Sequence, residues 1–374
     1  MAYQIDFLAV GDPGDDGKCC KSGDAIALRY GNLAGPRAEQ TVMIVDGGFK
    51  SAGDKLVEHV KAFYGTDVVD FVVSSHPHDD HIQGLFPVLE SLKVGMLLMH
   101  KPWDHAQGVL EFTDDDRTTL TGTKRRLRES FAAARDLNAL ATRKGIKVHE
   151  PFQGTYTQDN VVLVLGPSSE FYRKCIAADL AGLPIDGAPR GIASLLIGAA
   201  QAVMRAAQEG WDSERLTEPA ADAVEPLNHS STVIHFNFGD TKALLTGDAG
   251  VQALTLAADF ADSRSIDLKS CSRVQVPHHG SKRNVGPTIL NRIIGPVQQL
   301  GAGGTKTGKI SCAKDGEPKH PSARVTNAFF RRGAPCCGTR GQTICWSSPD
   351  APARPGWTSV PSIPFRDQYD EEED

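Results

Sequence analysis

The sequence has no apolar run long enough to cross a bilayer. Its longest mostly apolar stretch, Ile192 to Met204, lies between Arg190 and Arg205 and falls short of the ~20 residues that a spanning helix needs. The opening Met-Ala-Tyr-Gln-Ile-Asp-Phe lacks the basic and apolar regions of a secretory leader, so the expectation is a cytoplasmic protein with no membrane partner. No Cys-x-x-Cys occurs among the eight cysteines, and two of the closest sets, Cys19-Cys20 and Cys336-Cys337, are adjacent, which strains a bridge between them. Free thiols are therefore expected. A structural zinc on Cys312, Cys336, Cys337 and Cys345 is the weaker reading, because the spacing is poor. Positive charge is not in excess: 40 Lys+Arg against 46 Asp+Glu leave a net charge of −6. Nucleic-acid coating by bulk charge is thereby disfavoured, although a local basic groove is still allowed. No internal repeat of about 20–50 residues is visible.

What is present is globular. Hydrophobic residues make up 40% and charged residues 23% of 374 residues, enough chain to bury a large core. Strands are expected at Ile5 to Val10, Ala25 to Tyr30, Thr41 to Val45 and Val68 to Ser75, with a helix over Ala52 to Tyr64, where Leu56, Val57, Val60 and Phe63 share a face. Thr123 to Lys144 reads as one long helix with Leu127, Phe131, Ala134 and Leu137 on its apolar side. Its basic side, Lys124, Arg125, Arg126 and Arg128, is read first as a solvated face and second as a nucleic-acid contact. From 168 to 227 the strand rhythm is lost, and a helical insertion or lid is expected. Strands and helices alternate again from Thr232 onward, and residues 350–374 read as a flexible acidic tail.

The chemistry concentrates in Ser75-His76-Pro77-His78-Asp79-Asp80-His81. Three histidines and two carboxylates within six residues, directly after a β-branched strand, are costly unless something binds them. His76 and His78 can reach one metal while Asp80 and His81 turn toward a second. Imidazole with carboxylate suits zinc, and also manganese or iron.

His76, His78, Asp80 and His81 resemble the signature of the metallo-β-lactamase-fold superfamily. Leu244-Leu245-Thr246-Gly247-Asp248 is similar to its strand-end "TGD" motif, and Val276-Pro277-His278-His279-Gly280-Ser281 to its last metal motif. Gly23-Asp24-Ala25-Ile26-Ala27, Ile44-Val45-Asp46-Gly47-Gly48, the "HHGS" itself, and His320-Pro321-Ser322 with Gly338-Thr339-Arg340-Gly341 resemble the branch holding the ComEC hydrolase domain and phosphorylcholine esterases. The resemblance implies an α/β fold, a four-layer αβ/βα sandwich over residues 1–349, with two divalent metal ions, zinc first, at one edge. It further implies His76 and His78 on the first ion, Asp80, His81 and His279 on the second, and Asp248 between them. The first ion's remaining position would fall to water, His229 or His278.

Two such ions would generate hydroxide between them near neutral pH and stabilise charge on the attacked group. Asp80 and His278 are then the catalytic candidates, His278 as a hydrogen-bond or proton donor. Ser281, Lys282, Trp103 and His229 are candidates for substrate contact; for Lys282 an ordinary exposed lysine is an equal reading. Asp46 either orients a ligand histidine or is a plain turn aspartate. His100, His149, His235 and His320 read as structural. The expected function is a metal-dependent phosphodiesterase or nuclease acting on a small-molecule or nucleic-acid phosphodiester. Hydrolysis of carboxylic esters, thioesters or lactams on the same site is the alternative, and a non-catalytic metal-binding regulatory protein is the third reading.

Overall fold

Residues 1–13, 17–112, 119–185, 204–316 and 319–372 are described by a computed structural model. The first sheet contains β1 (Ala2–Phe7), β2 (Ala25–Gly31), β3 (Gln40–Gly47), β4 (Val68–Val73), β5 (Lys93–Leu98) and β6 (Lys147–His149). The second contains β7 (Val162–Gly166), β8 (Val233–Asn237), β9 (Lys242–Leu245), β10 (Arg273–Gln275), β11 (Thr307–Ile310) and β12 (Cys336–Gly338). The chain then crosses back, and β13 (Ile344–Ser347) closes the edge of the first sheet, whose order is β13-β1-β2-β3-β4-β5-β6. The second sheet runs β12-β11-β10-β9-β8-β7.

Layering follows from which side chains each strand buries. In β3, Val42 and Ile44 face the helices while Met43 and Val45 face the opposite sheet, so both sides are covered. Helices α1 (Lys50–His59), α2 (Leu85–Ser91), α3 (Leu120–Ser130) and α4 (Ala132–Arg143) pack on the first sheet. Helix α5 (Ser169–Ala181) straddles the two halves, giving Tyr172 and Ile176 to one core and Phe171 and Cys175 to the other. Helices α6 (Val251–Ser263), α7 (Pro287–Ile293) and α8 (Ala323–Arg331) cover the second sheet. A third apolar cluster, including Ile5, Phe7, Ile26, Phe236 and Leu245, fills the space between the sheets. The result is the helix–sheet–sheet–helix sandwich expected from the sequence.

The central strands of both sheets are parallel: β3 to β6 in one, β9 to β12 in the other. Connections leaving their C-terminal ends therefore emerge at the same rim, and every histidine-bearing loop lies there.

Several expectations are corrected. Thr123 to Lys144 is two helices, not one; the chain turns at Phe131 (φ −108, ψ 47), which lets the fully buried Leu127 and Leu137 reach the same core. Trp103 does not line a pocket for substrate. It is buried with Ala106, Val109 and Leu127, because a large apolar ring gains more by leaving water. Of the 168–227 stretch, the described residues hold α5, the strand Met204–Gln208, turns, and the short helical turn Pro226–His229. Part of that predicted insertion, 186–203, lies outside the described residues.

The end of the chain is not a loose tail as far as it is described. Gln368–Glu372 pairs antiparallel with Met204–Gln208, Ile363 joins the second sheet's core, and the Tyr369 hydroxyl donates to Glu209 Oε2 at 2.6 Å. Glu209, fully buried, also pairs with Arg331 and accepts from Asn327 Nδ2 at 3.1 Å. The acidic end folds back through backbone pairing and through burial of Ile363 and Tyr369.

The basic side of α3 stays exposed. Arg126 donates to the Leu180 carbonyl at 2.5 Å, and Arg125 lies 3.9 Å from Glu129. The described residues contain no helix long and apolar enough to cross a membrane.

Candidate metal centre

The loop after β4 seats itself by close backbone contact. A Cβ on Gly84 would stand 1.9 Å from the Gly47 carbonyl oxygen, so only glycine lets the 76–84 segment lie against the end of β3. Asp46, on that strand end, adopts φ +57, a conformation that costs a non-glycine residue about 1 kcal/mol or more. The carboxylate explains the strain. Asp46 Oδ1 accepts from the Ser75 backbone N–H at 2.7 Å, and Oδ2 accepts from the Ser75 hydroxyl at 2.5 Å and from His81 Nδ1 at 2.8 Å. Asp46 is thus an orienting residue and not a plain turn aspartate.

The same device recurs around the rim. Ser75 gives its proton to Asp46, so its oxygen is left to accept from His76 Nδ1, 3.0 Å away. His279 Nδ1 donates to the Ser311 carbonyl at 2.9 Å. The Asn284 amide nitrogen donates to the Asp248 carbonyl at 2.8 Å, which turns Asn284 Oδ1 toward His278 Nδ1, also at 2.8 Å. In four histidines Nδ1 is therefore held by an outer acceptor, and each Nε2 is aimed at one centre, where a bound cation would take its lone pair. That centre is Asp248. Its Oδ2 lies 3.3 Å from His81 Nε2, 3.6 Å from His278 Nε2, 3.7 Å from His76 Nε2 and 3.8 Å from His279 Nε2.

Two overlapping groups share Asp248: Asp80, His81 and His279 on one side, His76 and His78 on the other, with ligand atoms within 4.8 Å of one another in each. Asp80 Oδ2 lies 3.4 Å from His279 Nε2, and His78 Nδ1 lies 3.0 Å from His76 Nε2. His81 Nε2, His279 Nε2 and Asp248 Oδ1 are buried and have no hydrogen-bond partner. Polar atoms orphaned in this way are expensive in a folded chain, and their convergence on one point fits divalent cations. Electrostatics agree. Burial would lower the His279 imidazole, but Asp248, with Asp80 and Asp24, overrides it and pushes the pKa up to about 9; His81 is likewise raised against its burial by Asp248, Asp80 and Asp46. The carboxylates hold positive charge at the points where cations would sit.

A profile described as the Metallo-beta-lactamase superfamily matches residues 37–293. The chain belongs to that superfamily. Similar solved structures include a putative metallo-beta-lactamase from Thermotoga maritima, at 12% identity, covering 66% of this chain and 79% of that one with a TM-score of 0.30. A diphosphatase from the PhnP family is similar at 10% identity, over 93% of this chain and 98% of that one, with a TM-score of 0.39. A CmlA beta-hydroxylase mutant is similar at 11% identity, over 92% and 54% of the respective chains, again at 0.39. No curated protein matches the chain.

This superfamily member brings six of the anticipated side chains together: His76, His78, Asp80, His81, Asp248 and His279. It does not bring His229 to them. That ring is buried against Phe171, 6.3 Å between centroids, and beneath Gly250. His278 stands nearer, with Nε2 3.6 Å from Asp248 Oδ2 and Nδ1 2.8 Å from Asn284 Oδ1. Ser281 is buried in the turn, where its hydroxyl accepts from the Arg283 N–H at 3.3 Å. Lys282 lines a cleft of about 320 Å³ together with Arg283, Arg324 and the 216–223 segment. The described cysteines form no metal-ligating group, and all eight are free.

Sequence reasoning missed the supporting shell. Ser75, Ser231, Gln275, Asn284 and the Ser311 carbonyl carry no motif-level signal. Gln275 is typical: its Oε1 accepts from the Thr246 and Gly247 N–H groups, and its Nε2 donates to Asp24 Oδ2 at 2.8 Å.

Proposed function

We propose that the protein is a metal-dependent hydrolase acting on phosphodiesters, with two divalent ions, zinc first and manganese or iron as alternatives, held by His76, His78, Asp80, His81, His279 and the shared Asp248. The observation that carries this reading is the set of Nε2 atoms aimed at Asp248 with their Nδ1 protons already spent. Bound divalent ions supply Lewis acidity and a water-derived nucleophile at neutral pH. The chain's own residues do the rest. Asp46, Ser75, Ser311 and Asn284 hold the imidazoles in the ligating tautomer, and His278 Nε2 extends the first group in place of His229. Lys282, Arg283 and Arg324, which share a cleft with Glu218 and Asp222, are cations suited to an anionic substrate. The phosphodiester preference rests on the resemblance of His278-His279-Gly280-Ser281 to the branch's motif and on those cations. Eight unbridged thiols support a reducing, cytoplasmic setting.

The test is elemental analysis followed by hydrolysis of bis-p-nitrophenyl phosphate, linear and cyclic dinucleotides and single-stranded DNA. His78→Ala and Asp248→Ala abolish turnover while circular dichroism keeps the wild-type spectrum. Wild-type rates in these variants remove the mechanism. Turnover of nitrocefin or a lactone, with none of any phosphodiester, transfers the site to ester, thioester or lactam hydrolysis; a metal-loaded protein inert to every class leaves it as a regulatory binder.

A further inference from the structure

Away from the histidine cluster, a cavity of about 590 Å³ opens where β11 and β13 meet, its outer wall supplied by residues 349–360. Small-molecule sites run from about 300 to 1,000 Å³. None of its lining residues belongs to the metal-ligating groups. Strand alternation places a lysine there. Ile310 faces the helices, so Lys309 points the other way, into the inter-sheet side, where its neighbours are rings. Its ammonium lies 5.5 Å from the Trp346 ring centre and 5.9 Å from that of Phe7.

Lys309 is 5% exposed, yet among the described residues no acceptor bonds its Nζ. The nearby carboxylate, Asp6, is already engaged by Arg354 (2.6 and 2.8 Å), the Tyr64 hydroxyl (2.6 Å) and His59 (3.0 Å). Burial pushes the lysine pKa down to about 8. A largely desolvated ammonium with no paired anion is destabilised, and the rings offset only part of that. What would offset the remainder is an anion brought in from solution. The lining suits one with a flat body: Trp346 and Trp357 line the cavity, Arg354 lies over one face of Trp357 at 4.7 Å as a second cation, and Thr343 and Ser359 add hydroxyls.

We propose that this cavity is a second ligand site, taking a small aromatic anion whose acid group meets Lys309 and whose ring packs on Trp346 and Trp357. Carboxylate and phosphate-type head groups share the required charge, and the assay separates them. Indole-3-acetate and phenylphosphonate are titrated calorimetrically into the full-length, zinc-loaded protein, with indole-3-acetamide as the neutral control. Binding of either acid at one equivalent is expected, at least tenfold weaker in Lys309→Met and in Trp357→Ala and unchanged in Asp248→Asn; the acid that binds identifies the head group. Failure of both acids to bind, equal affinity for the amide, equal affinity in Lys309→Met, or loss in Asp248→Asn overturns the proposal. Because Lys309→Met removes a buried charge, thermal unfolding should show it folded.

Discussion

Replacing Lys309 with methionine should change the stability of the protein in a way that depends on pH. The lysine's pKa falls from 10.5 to about 8 in the folded chain, so between those values the unfolded chain binds more protons than the folded one. Stability therefore rises with pH across that window and is lowest below pH 8, where the buried amine must carry its charge. The full swing corresponds to about 3 kcal/mol at ~1.36 kcal/mol per pKa unit. Groups facing the amine are Asp6 on β1, Arg273 on β10, Cys337 on β12 and Cys345 on β13; subtracting the variant's curve from that of the wild type removes their independent titrations. Urea unfolding of both proteins from pH 6.5 to 10.5, at fixed zinc, should show Lys309→Met the more stable at pH 7 and the gap closing by about 3 kcal/mol toward pH 10.5. A gap that stays constant with pH, or a variant less stable at pH 7, refutes the reasoning that the ammonium is buried without an anion.

Asp46→Ala should leave the fold in place but weaken zinc binding by about 10- to 100-fold, since His81 and Ser75 lose their common acceptor; competition with a chromophoric chelator measures it, and unchanged affinity would reduce Asp46 to a turn residue. Gly84→Ala forces a Cβ onto the Gly47 carbonyl and should lower the melting temperature sharply or prevent folding; a near-wild-type melt would show that the 76–84 loop can shift freely. Arg331→Met strands the buried Glu209 carboxylate and should cost about 3–5 kcal/mol in urea unfolding, with earlier proteolysis of residues 361–372; equal stability would make the ribbon ornamental to the fold.

The sequence by itself determined the elements and the metal-ligating candidates, because both are written in local order. Alternating or continuous apolar runs marked β2, β3 and β4, and the histidines of 76–81 stand five residues apart at most, so one loop suffices to gather them. Only the tertiary structure decided which groups support them. His76 Nδ1 lies 3.3 Å from Ser231 Oγ across 155 residues, Asp24 meets Gln275 across 251, and Tyr369 meets Glu209 across 160. Such partners are fixed by how two sheets stack, which no spacing encodes. The same holds for Trp103, His229 and the chain end, where polarity or loop position suggested exposure. Burial of a ring or a paired carboxylate, summed over contacts from distant segments, outweighed the local signal.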